Sequence, residues 1–170
     1  MQSKELVVAL AVAALTSGAA AQTKPTSVDP RGTGAPASPM AYGTPITLAD
    51  AKRVVAAAQS EASRRKVAAT LAVVDPYGEA VLIERATDAQ YAAVELAMMK
   101  ARSTVLYRRD TQVFADQIKA GNLLAMMLPG ATGMGGGGVL LVSGGKIVGA
   151  IGETGGADVE VAEAGAAVLK

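Results

Sequence analysis

TLAVVDPYGEAVLIER (residues 70–85) and VLLVSGGKIVGAI (residues 139–151) decide the fold. Each stretch holds two short apolar runs, rich in β-branched residues, around a tight turn. In the first, Asp75-Pro76-Tyr77-Gly78 is the turn: proline suits its second position and glycine accepts a positive φ. In the second, Gly144-Gly145 stands at the tip, where a two-residue hairpin turn needs positive φ. The sequence therefore predicts strands at 70–74, 80–85, 139–142 and 146–151, joined as two hairpins.

Helical patterns flank these hairpins. Thr47 is placed to cap a helix with Asp50 three residues on, and Leu48, Ala51, Val54, Val55 and Ala58 form its apolar stripe to about Arg65. The Arg64-Arg65-Lys66 cluster complements the dipole at that helix's end. Alanine-rich residues 89–106 predict a second helix. Thr111 is placed to cap a third, which Gly121-Asn122 ends. A loop with Met126, Met127, Pro129 and many glycines follows, and a last helix is expected over 158–169. Hairpins imply antiparallel pairing, so the expected class is α+β: an antiparallel sheet of two hairpins flanked by helices, a profilin-like layered domain.

The 170 residues suit one domain, and 51% of them are hydrophobic. Much of that share is alanine, and the aromatics are only Phe114, Tyr42, Tyr77, Tyr91 and Tyr107. Small side chains bury little area each, so a homo-oligomer that covers more apolar surface is expected. A formal charge of +1, with no basic tail, does not favour nucleic acid. The chain has no cysteine and no histidine. That excludes disulfides, thiolate nucleophiles, the Ser-His-Asp triad and the commonest metal ligands.

Residues 1–21 read as a secretory signal peptide. Lys4 gives a weak positive start, Leu6 to Leu15 is apolar, and Ala19-Ala20-Ala21 supplies the cleavage site before Gln22. The apolar run is shorter than the roughly 20 residues that span a bilayer. No membrane span is expected after cleavage, and the mature product is expected in the periplasm or outside the cell. Residues 22–45 are rich in Pro, Gly, Ser and Thr and read as a flexible arm, with the domain over 46–170.

Several motifs carry chemistry. Gly133 to Gly138 contains G-x-G-x-x-G, but a strand follows it where a dinucleotide site needs a helix. Glycines at 137 and 138 also allow close backbone approach to a ligand or a neighbouring subunit. Gly152-Glu153-Thr154-Gly155-Gly156-Ala157-Asp158 joins the last strand to the last helix, either as an anion site at the helix start or as a turn closed by Asp158. Glu160 and Glu163 share a helical face and are weak candidates to hold a hard cation. Arg85 stands where a strand leaves the sheet, and Lys100 sits among alanines and methionines. An enclosed lysine needs a carboxylate or a bound anion, so these two are the leading anion contacts.

The segments ITLADAKRVVAAAQSEA (46–62), LAVVDPYGEAVLIERATDAQ (71–90), ELAMMKARSTV (95–105) and GGVLLVSGGKIVGAIGETGGADVEVAEAG (137–165) together resemble the GlcG/HbpS-like haem-binding (haem-degrading domain) family, related to the C-terminal domain of PduO-type proteins. The pattern runs V-V-D-x-x-G, E-R-x-x-D-A, K-A-R, G-A-I-G and D-x-x-x-A-x-A-G. The resemblance implies a layered α+β domain that forms higher oligomers. It also implies binding of haem or a related tetrapyrrole, or an auxiliary role in small-molecule catabolism, with exported members associated with extracellular haem sensing. Arg85, Asp88, Lys100, Thr111, Gly137, Gly138 and Asp158 fall on the family pattern. Two positions depart from it. Val139 stands where proline is usual, and the usual G-V-S-G becomes Gly152-Glu153-Thr154-Gly155, which adds a carboxylate.

Three functions follow as expectations. The first is an extracytoplasmic haem- or tetrapyrrole-binding protein. Without His or Cys, axial ligation would fall to Tyr107, Thr111, a lysine or a methionine at 98, 99, 126, 127 or 134, and would be weak. Arg85, Lys100 or Arg108 would pair with propionates. The second is an enzyme on a small organic acid or ring compound, with Glu153 or Asp88 as base and Lys100 or Arg85 stabilising an anion. The third is an oligomeric structural module without a ligand.

Overall fold

The computed structural model describes residues 40–130 and 135–169. The expected signal peptide, most of the expected arm, and Met134 lie outside the described residues. The elements are α1 (Leu48–Arg65), β1 (Thr70–Val74), β2 (Ala80–Arg85), α2 (Ala93–Tyr107), α3 (Gln112–Lys119), a 3-10 segment (Leu123–Met127), β3 (Gly138–Ser143), β4 (Lys146–Thr154), α4 (Asp158–Ala166) and a closing 3-10 turn (Ala167–Leu169).

Both hairpins form, and they join through their inner strands. The sheet order is β2-β1-β4-β3, antiparallel throughout, with Thr70 opposite both Arg85 of β2 and Thr154 of β4. Gly78 (φ +84°) closes the first turn, where Asp75 Oδ1 accepts from the amides of Tyr77 and Glu79. Both Gly144 and Gly145 have positive φ, as the second turn requires.

Three layers result. β1 is buried along its whole length because helices cover both of its faces. Leu71, Val73, Leu141 and Ile151 pack with Val54, Val55 and Ala58 of α1 and Val161 and Ala162 of α4. Ala72, Val74, Leu140 and Ala150 pack on the other side with Ala97, Ala101 and Val105 of α2. Successive strand residues point to opposite faces, so one alternating strand serves both cores.

Several boundaries differ from the sequence reading, for local reasons. Leu48 is exposed, and Ala62 takes its place at the other end of the buried α1 stripe. α2 begins at Ala93 rather than near Ala89, because Ala89 N–H bonds Ala86 O and Ala93 N–H bonds Gln90 O as two separate turns. Thr111 stands at the start of α3 but does not cap it; its Oγ1 accepts from Gly138 N–H at 2.9 Å instead. β4 continues to Thr154, so Gly152, Glu153 and Thr154 are sheet residues and not part of the connection to α4. Residues 41–43, read in the sequence as part of the arm, lie against β4: Ile147 N–H donates to Ala41 O and Gly43 N–H to Ile147 O.

Candidate functional site

The longer β4 moves Glu153 into the protein interior. Glu153 faces Leu71 across the β1–β4 pair, beneath the start of α4, and is fully buried. Lys100, on α2 behind the other face of the sheet, is only 4% exposed. Its Nζ reaches past the end of β4 and donates to Glu153 O at 2.7 Å and Asp158 Oδ2 at 2.5 Å. Asp158 Oδ1 accepts from Gly156 N–H at 2.8 Å. The lysine enclosed by its sequence neighbours thus finds its carboxylate, and that carboxylate belongs to the first turn of α4.

Glycines make this reach short enough. A Cβ on Gly152 would lie 2.0 Å from Ala97 O, and one on Gly138 would lie 2.7 Å from Lys100 O. A Cβ on Gly137 would meet the Asp158 Cβ at 2.7 Å. Gly137, Gly138, Thr111, Lys100, Glu153 and Asp158 are therefore one cluster, linked also by Glu153 N–H to Gly137 O and Thr111 N–H to Gly138 O.

The electrostatics of the cluster follow from burial. Neither carboxyl oxygen of Glu153 has a hydrogen-bond partner among the described residues. Asp158 lies close enough to act on the Glu153 proton, but not in the geometry of a fixed hydrogen bond. Burial, followed by the Asp158 carboxylate and only partly offset by Lys100, pushes the Glu153 carboxyl up to about 9. Burial would also raise Asp158, but its contacts with Glu153 and the Lys100 ammonium outweigh this and hold it below its ordinary value. At neutral pH the cluster holds a neutral acid beside a lysine–aspartate ion pair.

This sets a pH dependence with a definite sign. Glu153 titrates near its ordinary value of 4.5 when unfolded and at about 9 when folded. The folded state therefore binds the extra proton between these values, and stability falls as pH rises from about 4.5 to about 9. Asp158 acts oppositely, its contribution being lost as pH falls through its depressed folded value. Glu153→Gln is expected to be more stable than the parent by roughly 1–3 kcal/mol at pH 8, and nearly equal to it at pH 4.5. Urea denaturation at both pH values measures this; equal differences at the two would show that Glu153 is not held protonated.

The other candidates lie elsewhere. Arg85 ends β2 at the same end of the sheet as Thr154, with Asp88 in the turn that follows, and Arg85 Nη2 donates to Ala89 O at 2.7 Å. Arg108 stacks over the Tyr42 ring at 4.3 Å and donates to Met40 O. Tyr107 donates to Pro129 O at 2.6 Å and meets the Phe114 ring edge-on at 5.3 Å. Glu160 pairs with Arg65 at 3.4 Å, and both Glu160 and Glu163 border an open groove of about 750 Å³ between α4 and β3. Thr111 is buried. Met98 is buried, whereas Met126 and Met127 are 52% and 79% exposed beside exposed Leu123, Leu124 and Leu128. The sequence reading did not single out those leucines, because a run such as LLAMML does not reveal which side faces solvent.

Comparison with known proteins places this geometry among relatives. Residues 46–167 match the family described as haem degrading protein HbpS-like. Protein GlcG of Escherichia coli K12 is 34% identical over 102 residues, covering 60% of this chain and 75% of GlcG. A 15.0 kDa protein of Citrobacter freundii, encoded between dhaT and dhaS, is 31% identical over 114 residues, covering 65% of this chain and 80% of that protein. Among solved structures, a PduOC–haem complex superposes with a TM-score of 0.67 at 26% identity, covering 75% of this chain and 96% of that one. HbpS superposes with a TM-score of 0.66 at 29% identity, covering 80% and 98%.

Proposed function

We propose that this chain, which belongs to the HbpS-like family of haem degrading proteins, handles haem or a related tetrapyrrole through weak ligation that uses neither histidine nor cysteine. The observation that carries this reading is the exposed segment from Leu123 to Leu128, which presents three leucines and the thioethers of Met126 and Met127 together. Exposed large apolar side chains gathered in one short segment in this way mark a binding face. A flat apolar macrocycle suits it, and a thioether is a recognised axial ligand for haem iron. Of the other expected ligands, Thr111 is buried and Tyr107 already donates to Pro129 O, so both would have to give up existing contacts. Of the three expected propionate partners, Arg108 is the nearest in sequence to this segment, whereas Lys100 is committed to Asp158. When bound, haem would supply the redox and oxygen chemistry; the protein would supply the face, the ligand and the charge.

An enzyme with Glu153 as base and Lys100 stabilising the anion, one form of the alternative, would need both at a surface. Both are enclosed, and Lys100 is committed to Asp158 and to the Glu153 carbonyl, which favours a structural role for them. Export and homo-oligomer formation belong to the same proposal. They rest on the pattern of residues 1–21 and on a core made largely of alanine and valine. Among the described residues no helix is long and apolar enough to cross a membrane.

Haemin titrated into the purified protein is expected to give a saturable Soret change that Met126→Ala/Met127→Ala weakens about tenfold. A Soret band that never saturates would remove the reading. An unchanged titration in the double variant would remove the thioether ligand. The same preparation, taken from the cell envelope, is expected to begin at Gln22 by intact mass and to run above monomer size.

A further inference from the structure

We infer that the groove between α4 and β3 binds a primary amine with an aliphatic tail, the ammonium against Glu160 and Glu163 and the tail along Ala164 and Ala167. The groove has a volume of about 750 Å³, within the range of small-molecule sites. The exposed Leu123–Leu128 segment contributes no residue to it, so the inference stands apart from the haem reading.

Side-chain size opens the groove. Glu160, Glu163, Ala164 and Ala167 all line it, and their spacing puts them on one stripe of the helix. Ala167, just past α4, keeps helical dihedrals and so continues the stripe. The two alanines leave room that longer side chains would fill. The facing wall is β3, the outer strand on its side of the sheet, which contributes Val139 and Val142. The stripe is therefore acidic where it begins and apolar where it ends. From Glu160 to Ala167 it runs about 10 Å, at 1.5 Å per residue.

The charges select a cation. Among the described residues the groove is bordered by the carboxylates of Glu61, Asp110, Glu160 and Glu163 and by the guanidinium of Arg65. Arg65 is held by Glu61 at 2.5 Å and reaches Glu160 only at 3.4 Å. Asp110 already accepts from Leu140 N–H. Glu163 is exposed and has no ion pair among the described residues. The helix dipole accounts for an acid at Glu160, in the first turn, but its effect fades before Glu163, one turn further. Two carboxylates are too few for a hard metal ion, which takes six or more oxygens. They suit an ammonium, whose three donors can meet both and leave one for water. An alkyl tail then lies over alanine and valine, removing apolar surface from water.

The test titrates n-octylamine, ethylamine and octanoate into the full chain by calorimetry at low salt. Octylamine is expected to bind saturably, ethylamine more than about tenfold more weakly because it lacks the tail, and octanoate not at all. Glu163→Gln is expected to leave the melting temperature unchanged and to weaken octylamine about threefold, the scale of an exposed ion pair. Ala167→Phe fills the apolar end from an exposed position, so the folded variant is expected to bind more than about tenfold more weakly. Met126→Ala/Met127→Ala is expected to bind octylamine as the parent does. No saturable binding up to about 10 mM, equal binding of octanoate, or undiminished binding by a folded Ala167→Phe would overturn the inference. So would a loss confined to Met126→Ala/Met127→Ala, which would put the amine on the Leu123–Leu128 segment instead.

Discussion

Lys100→Met is expected to destabilise the protein by about 3 kcal/mol at pH 7, because it leaves Asp158 against the buried Glu153 without its cation. The Lys100 ammonium donates to both Glu153 O and the Asp158 carboxylate. Methionine retains most of the side chain's length and apolar body, so the loss is chiefly one of charge and hydrogen bonds. Asp158 is partly exposed (28%), so water will recover some of the deficit, which places the value at the lower end for a broken buried pair. Two further measurements separate this from a packing defect. Lys100→Met/Asp158→Asn is expected to recover much of the loss, since it removes the stranded charge. The deficit of the single variant is also expected to shrink as pH falls and Asp158 takes a proton. A cost below about 1 kcal/mol would mean that the pair is not structural.

Gly152→Ala should have an effect of similar size for a purely steric reason. The added Cβ would stand 2.0 Å from Ala97 O and 2.8 Å from Ala101 N. Both are backbone atoms of α2, so no side-chain rotation can relieve the contact. Either α2 moves off the sheet or β4 bends, at a cost of about 3 kcal/mol or more. Moving α2 also withdraws Lys100 from Glu153 and Asp158. The effects of Gly152→Ala and Lys100→Met should therefore be less than additive, which a double-mutant cycle in urea reads directly. Full additivity would show that the lysine keeps its contacts when the helix shifts.

These two variants concern the framework and not the ligand. The Lys100–Glu153–Asp158 cluster fixes α2, β4 and α4 to one another. The proposed haem face lies beyond Tyr107, at the C-terminal end of α2. Loss of the cluster would disturb that face through a shift of α2. Met126→Ala/Met127→Ala would disturb that face and leave the cluster in place.

The two hairpins, their turns and all four strands were legible in the sequence, because turn chemistry and β-branched runs are local signals. The class of fold followed from them. The boundaries that mattered for the site were not legible. Glycine and threonine at 152 and 154 read as a connection, yet β1 and β3 supply partners that hold them in the sheet. Thr111 read as a helix cap because capping is a local rule, yet Gly138 N–H, brought in from β3, takes its hydroxyl.

The enclosed lysine marks the division. Its apolar neighbours along the chain were enough to say that Lys100 must find a carboxylate, since an unpaired buried ammonium is too costly. The absence of histidine and cysteine was likewise settled by the sequence, and with it the range of chemistry open to the protein. Which carboxylate answers, and whether Glu153 carries a charge, depended on three elements far apart in sequence meeting at one end of β4. Burial and the distance between charges set protonation, and both are properties of the assembled fold.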